Sequence, residues 1–394
     1  MADEDIRIEP VKTKDLYAFA LGIIKKAKAG QFIPITKHRA LAMSKNPNAT
    51  PDDVALLVAY HGEELIGYFG IMSVRLQQGG ESHKAQWFST WTVSPQFLGR
   101  GVGSRLMQAA LELEQDYFIV GSKPARRVCD KFGFQRLQPY EFTVIDLRLA
   151  ARFNPISLMV RGIRKLFTLV GLSLDIRKAD RFGANIFEKL AGSPIRSLLL
   201  KIASKRAGVG MPHFQSMQVD KVRYVKGKES PDKSQTALSR GDDVVNWMLA
   251  NPWVLPPGQS ESETLDYNFS DTRPEFELFA HEIIRDEYRG YVVFQFSVIG
   301  EKRVLKVLDV DLITEQDRGF VLPLALEMAK KKNADTIELS SDYVNSLKAA
   351  TLGKIILSNK HRIYQVHPKS EESPLGIAWR DLQLNYVDGD MPFT

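Results

Sequence analysis

The chain has 394 residues, 44% of them apolar, a formal charge of +6 and a single cysteine, Cys129. At roughly 100–200 residues per domain this predicts two or three globular domains, and one cysteine excludes an internal disulfide framework and fits a reducing compartment. The acidic start, Met1-Ala-Asp-Glu-Asp5, lacks the basic and apolar regions of a signal peptide. The most apolar stretch, Ile156 to Leu174, is broken by Arg161, Arg164 and Lys165, so it falls short of the about 20 uninterrupted apolar residues of a spanning helix. These readings predict a cytoplasmic protein.

Residues 5–10 read as a short strand, and Lys12 to Ala29 carries helical spacing, with Leu16, Phe19, Ala20, Ile23 and Ile24 on one face. A second helix is predicted over Thr36 to Ser44. Strands follow over Val54–Tyr60, Leu65–Arg75 and Ala85–Val93, with a tight connection at His61–Glu64. Ser94-Pro95 ends the third strand, and a Gly-rich turn leads into an amphipathic helix from Val102 to Leu113. Next come a short strand Tyr117–Val120, a helix Pro124–Lys131 and a strand Phe142–Leu147. Residues 151–210 change character, holding twelve Lys/Arg against three Asp/Glu in apolar-and-basic runs that predict helices. Residues 225–236 read as a polar loop and Asp242–Ala250 as a helix. From 275 the earlier order of elements recurs. Strands are predicted at Glu275–Ile283, Tyr291–Val298 and Val304–Leu312, then a helix Asp317–Lys331, a strand Thr336–Leu339, a helix Tyr343–Leu352, and strands near Ile363 and at Gly376–Leu382.

The turn Leu98-Gly-Arg-Gly-Val-Gly-Ser104 carries the chemistry. A strand passing through glycines into a helix presents several unpaired backbone N–H groups at one point, where the helix start adds partial positive charge. Such a site suits a pyrophosphate, and glycines let it approach the backbone closely. A dinucleotide fold places its glycine turn after the first strand, and a nucleotide-triphosphate loop needs Lys-Ser/Thr; this turn fits neither.

The segment Val93-Ser-Pro-Gln-Phe-Leu-Gly-Arg-Gly-Val-Gly-Ser-Arg-Leu106 resembles the acyl-CoA signature of the GNAT acetyltransferase superfamily. Pro124-Ala-Arg-Arg-Val-Cys-Asp-Lys-Phe-Gly-Phe134 is similar to that family's second signature, and the resemblance covers residues 5–148. It implies acetyl-CoA, or another acyl-CoA, as cofactor, with the pyrophosphate on the amides of Leu98, Gly99, Arg100, Gly101, Val102, Gly103 and Ser104. It further implies that the pantetheine arm lies between the strand ending at Val93 and the one ending at Ser122, touching Ala125 and Cys129. A backbone amide near Trp91, Thr92 and Val93 then polarises the thioester carbonyl, an amine attacks it and the thiolate of CoA leaves. Catalysis of this kind rests on positioning and on fixed dipoles.

The sequence departs from the family pattern at three places. Leu98 stands where the family usually has Arg or Gln. Cys129 stands where many members have a Tyr that protonates the leaving thiolate; it is either that acid or a small side chain packed under the cofactor. The strand Ala85–Val93 holds no carboxylate, although an amine with an ordinary pKa near ~10 must lose a proton. Glu81 and His83, just before that strand, are the candidate bases. Trp87 and Trp91 share one face by alternation, and Trp87 is either core or a wall for a flat substrate.

The resulting expectation is an α/β (α+β) protein of tandem GNAT-like domains, each a mixed sheet flanked by helices. The domains are 1–148, which binds acyl-CoA; 149–215, a basic helical connector; and 216–394, a degenerate GNAT-like half on the substrate side. In that last half the turn Thr314–Gly319 carries acids in place of glycines, so no cofactor is expected there, and Asp309 and Asp311 are candidate substrate residues. The 151–210 segment either packs between the halves with its charged heads in water or contacts the inner face of an anionic membrane. Nucleic acid ranks third, because stacking aromatics are sparse. No metal is expected. The function so predicted is acyl transfer to a primary amine, for instance an amino sugar of a surface glycan precursor; that acceptor rests on a short similarity of Tyr386–Phe393 to the ends of bacterial polysaccharide-locus acyltransferases. The rivals are an acyl-CoA sensor without turnover and a Fem-type aminoacyl transferase, which would use a tRNA donor and need no glycine cradle.

Overall fold

The computed structural model describes residues 6–148, 177–208, 214–223, 236–314, 316–348 and 351–393. Residues 149–176, with the apolar-and-basic run around Leu158, and the polar loop 225–236 except its last residue lie outside them, as do the side chains of 177–191.

The first half runs β1 (Ile6–Lys12), α1 (Thr13–Lys26), α2 (Lys37–Ser44), β2 (Val54–His61), β3 (Glu64–Gln78), β4 (Glu81–Val93), α3 (Val102–Leu111), β5 (Tyr117–Ile119), α4 (Lys123–Lys131), β6 (Gln135–Arg136) and β7 (Tyr140–Asp146). A helix α5 (Arg177–Ala207) follows, then β8 (Gln215–Val219), β9 (Thr236–Leu238) and α6 (Asp242–Ala250). The second half continues with β10 (Phe276–Arg285), β11 (Glu287–Ile299), β12 (Lys302–Leu312), α7 (Val321–Lys331), β13 (Thr336–Ser340), α8 (Asn345–Lys348), α9 (Thr351–Ile356), β14 (Leu357–Arg362), β15 (Gln365–His367), α10 (Pro374–Ala378) and β16 (Leu382–Gln383).

Two mixed sheets flanked by helices result. Their main strand orders are β1-β2-β3-β4-β5-β15-β6 and, read in the same sense, β8-β10-β11-β12-β13-β7-β14. Position for position the sheets correspond, with one exchange: β7 of the first half lies in the second sheet, and β15 of the second half lies in the first. β7 pairs on both sides, with β13 and β14, and the Thr143 hydroxyl meets Ser341 Oγ at 2.9 Å. β15 pairs with β5 and β6. The exchange crosses the boundary drawn at residue 148, so each half completes the other's sheet.

The sheets are sandwiched by apolar faces in the way their periodicity demands. On β3, Phe69 and Ile71 face the α3 side, together with Phe88, Val102, Leu106 and Met107. Tyr68, Met72 and Val74 face the opposite side, where they meet α1, α2 and the second half. In α5, Leu199, Leu200, Ala203 and Ala207 are buried in the second core, while Arg196 pairs with Asp335 at 2.7 Å. The described end of the basic segment therefore packs on the protein. Among the described residues no helix is long and apolar enough to cross a membrane.

One expected strand is a helix. Over Gly376–Leu382 the chain instead forms α10 just upstream: the Ser373 hydroxyl accepts from the Gly376 N–H at 3.0 Å and Pro374 takes the first turn, a strong helix start that alternation of apolar residues does not reveal. The chain then threads between the halves. Arg240 pairs with Asp388 and, at 3.5 Å, with Asp309. Gly389 (φ +78°) lies so close to Trp87 that a Cβ would stand 1.9 Å from the indole, so only glycine fits there. Phe393 stacks on Trp253 at 3.9 Å.

Candidate active site

β4 and β5 run parallel and pair only over Gln86–Phe88 with Tyr117–Ile119. Beyond Phe88 the register with β3 slips: Ile71 faces Phe88 and Gly70 faces Thr90, leaving Ser89 as an extra residue. Such a bulge bends its strand and ends pairing, so β4 and β5 part at Ser89. Gly70 permits this crowding, since a Cβ there would stand 2.3 Å from the Thr90 hydroxyl and 2.8 Å from that of Ser89. Ser89 Oγ is buried and has no partner among the described residues.

From Val93 the chain enters a 3-10 turn and then the glycines. Gly99 and Gly101 both adopt φ +78°, with open space where a Cβ would be, and Gly101 caps α3 without a side-chain bond. The N–H groups of Gly99, Gly101, Val102, Gly103 and Ser104 have no partner among the described residues, whereas that of Arg100 reaches Phe97 O at 3.4 Å and that of Arg105 reaches Gly101 O at 3.0 Å. The Trp91 indole lies 3.5 Å from a Cβ at Gly103 and packs tilted on Phe69 at 5.1 Å, so it floors the turn. Leu98, at 66% exposed, stands clear of it. Five unpartnered donors around a helix start are the kind of site that holds an anion such as a pyrophosphate. Ser122 caps α4 by accepting from Ala125 N–H at 3.5 Å, which places a second helix start beside the parting strands.

Cys129 has no exposed surface and lies in the α3-side core. Burial, with the Asp130 charge adding to it, pushes its thiol up to about 12. Trp87 is also wholly buried, closed in by Gly389, Phe118 and Tyr364; a substrate wall at Trp87 is thereby corrected, because no face of the ring is open. Glu81 and His83 need correction too. They are not in a loop before β4 but inside it, opposite Gln78 and Leu76, so His83 is nine residues from Thr92, about 30 Å at ~3.4 Å per residue. Neither can reach a thioester held near Trp91–Val93. The two are 3.8 Å from each other.

The face of β4 opposite α3 carries Trp87, Thr90 and Thr92, aligned with Met72, Gly70 and Tyr68. A segment of the second half lies across it: Asn268 Nδ2 donates to Thr92 Oγ1 at 3.1 Å, and Tyr267 and Phe269 pack on Tyr68. A carboxylate that sequence reasoning did not single out arrives on this face with the C-terminal segment. Asp390 lies near the Trp87 indole N–H without the geometry of a full hydrogen bond, and 3.6 Å from Arg362. Burial raises its pKa against the pull of Arg362 and Arg39. The only sequence sign was an acid pair, Asp388-Gly-Asp390, in an otherwise apolar end. Asp309 lines a cavity in the second half; Asp311, opposite Tyr291, does not. Among the described residues no group of His, Cys, Asp and Glu could hold a metal ion.

The acetyltransferase (GNAT) domain family matches residues 52–136, which span β2, β3, β4, the glycine turn, α3, β5, α4 and β6. No curated protein matches the chain. Solved structures similar to it include a GCN5-related N-acetyltransferase from Anabaena variabilis (11% identity, 93% of this chain and 73% of that one, TM-score 0.44). Another is a GCN5-related N-acetyltransferase from Kribbella flavida (11%, 92% and 70%, TM-score 0.42). A third is Eis1 from Mycobacterium abscessus (12%, 93% and 74%, TM-score 0.43). The matched segment is a GNAT acetyltransferase domain. With it the chain carries the domain of an acyltransferase.

Proposed function

We propose that this chain transfers an acyl group, acetyl in the simplest case, from coenzyme A to the primary amine of a small molecule, with an amino sugar as acceptor. The observation that supports this most is the set of five unpaired N–H groups at Gly99 and 101–104, open to an anion. The acyl thioester supplies the electrophilic carbonyl and a thiolate leaving group. The protein's part is to hold the pyrophosphate on those amides, to lay the arm where β4 and β5 separate, and to aim backbone dipoles at the developing oxyanion. The acceptor amine enters on the face of Thr90 and Thr92. Asp390, farther along that face beside Trp87, is the candidate acceptor of the proton that the nitrogen loses on forming the amide bond, reached through a relay because Trp87 stands five residues before Thr92; a carboxylate with a raised pKa is the better matched base.

The test is thiol release from acetyl-CoA with a panel of amines and amino sugars. Release that depends on the amine supports the reading. Tight CoA binding without release from any amine supports the rival sensor, which the absence of a carboxylate over Ala85–Val93 favours. Asp390→Asn should lower kcat by roughly 10²–10⁴, the range of a general base, and flatten the acidic limb of the pH profile while CoA affinity stays unchanged. A smaller loss with the pH limb intact removes Asp390 from the mechanism.

A further inference from the structure

The second sheet repeats the geometry that makes the first one a site. β12 and β13 run parallel and pair only over Val304–Lys306 with Thr336–Glu338. The register with β11 then slips at Leu308, between the pairs Val293–Asp309 and Phe294–Val307. The strands part there, and the gap opens into a cavity of about 610 Å³ lined by residues from 137–141, 307–310, 340–343 and 379–386. That volume is in the range of small-molecule sites, roughly 300–1,000 Å³.

The chemistry differs from that of the first cleft. Where the first half has bare amides, this half closes its turn with its own carboxylate: Asp317 Oδ2 accepts from the Thr314 hydroxyl at 2.8 Å, and Asp317 N–H donates to Thr314 O at 3.1 Å. The Asp317 carboxylate there would repel a phosphate. The charged lining is balanced, with Arg240, Arg318 and Arg380 against Glu141, Asp309 and Asp342. Arg240 is already committed to Asp309 and Asp388. Tyr140, Tyr343 and Trp379 supply aromatic faces, and Gln138, Gln383 and Asn385 supply amides. A balanced site of this kind offers no net attraction to a strongly charged ligand of either sign. Planar carboxylate, amide and guanidinium groups take paired hydroxyls, and aromatic faces take the C–H face of a sugar ring.

We infer that this second cleft is a carbohydrate-binding site, holding a neutral or singly charged saccharide. Its role in orienting an acceptor rests on the acyl-transfer reading above; the binding itself does not. Tyr364 lines this cavity and packs edge-on against the buried Trp87 at 6.0 Å.

The test is titration of the full chain, without coenzyme A, with glucosamine, N-acetylglucosamine, their disaccharides, glucose 1-phosphate and a neutral tetrapeptide, followed by calorimetry and saturation-transfer NMR. Saturable binding of a neutral or amino saccharide is expected, in the millimolar range or tighter. Trp379→Ala should weaken it by about twofold to tenfold, the scale of one lost stacking contact. Asp342→Asn, at an exposed side chain, keeps the test valid if the Trp379 variant fails to fold, and should weaken binding by a similar factor. Gly101→Glu should leave it unchanged. Absence of saccharide binding, binding indifferent to the cavity substitutions, or preference for the phosphate ester or the peptide overturns the inference. Saccharide binding without thiol release from acetyl-CoA supports this site and counts against acyl transfer alone.

Discussion

Replacing Gly101 by Glu separates the cradle from an ordinary tight turn. At φ +78° any L side chain costs about 1–2 kcal/mol of backbone strain. A Cβ at Gly101 meets nothing within 4 Å, so the fold accepts the new side chain sterically. Its carboxylate would lie beside the five unpaired amides, where the ligand phosphate belongs. One like-charge pair at 4 Å costs ~4 kcal/mol at an effective dielectric of 20 and ~1 kcal/mol in bulk water. The turn is exposed, so the expected loss of CoA affinity lies between roughly fivefold and a thousandfold. Gly79→Glu is the control: it sits at φ +63° in the β3–β4 hairpin with equally open space, so it carries the strain without the charge at the site. Calorimetric titration with CoA on both variants, alongside thermal melts, reads the difference. If both variants melt alike and both bind CoA as the parent does, the anion-cradle reasoning is wrong.

Three other predictions follow from burial and topology. A fragment of residues 1–148 leaves β5 without β15 and β7 without a sheet, so it should fail to fold cooperatively; a native-like monomer in circular dichroism and urea melts would contradict the exchange. Cys129, with its thiol pushed up to about 12, should react with iodoacetamide at pH 8 far more slowly in the native protein than in urea, where thiols titrate near ~8.5; equal rates would show an accessible thiol. His38, His281 and His367 all have lowered pKa values, mainly through burial. Each stabilises the fold above the unfolded value of ~6.5, and that stabilisation is lost as pH falls through the lower folded value. The urea midpoint should therefore drop between pH 7 and 5.5, and the drop should shrink in His38→Gln, whose amide can still donate to Trp253 O as His38 Nε2 does at 2.7 Å; an unchanged midpoint refutes it.

The elements that could be read from sequence are those with strong local signals. The helix Asp242–Ala250 lies where its periodicity places it, and the glycine turn follows β4 because only glycine accepts its positive φ values. The misses share a cause: local pattern carries no information about partners. Alternation identifies β7 and the strand near Ile363 but not the sheet each joins, and the exchange is set by pairings of 190 or more residues' separation. Glu81 and His83 seemed to precede a strand because polar residues on an exposed hairpin mimic a loop, while backbone pairing with Gln78 and Leu76 extends β4 through them. Asp390 was invisible as a site residue, since only the threading of the last residues past Trp87 brings it there.

Hydrogen exchange of the backbone amides with and without coenzyme A addresses the cradle itself. Binding should slow exchange at Gly99 and at 101–104, with lesser slowing at Trp91–Val93, and leave the β3–β4 hairpin around Gly79 as it was. Coenzyme A that binds while Gly99 and 101–104 exchange at their free rates would place the cofactor elsewhere.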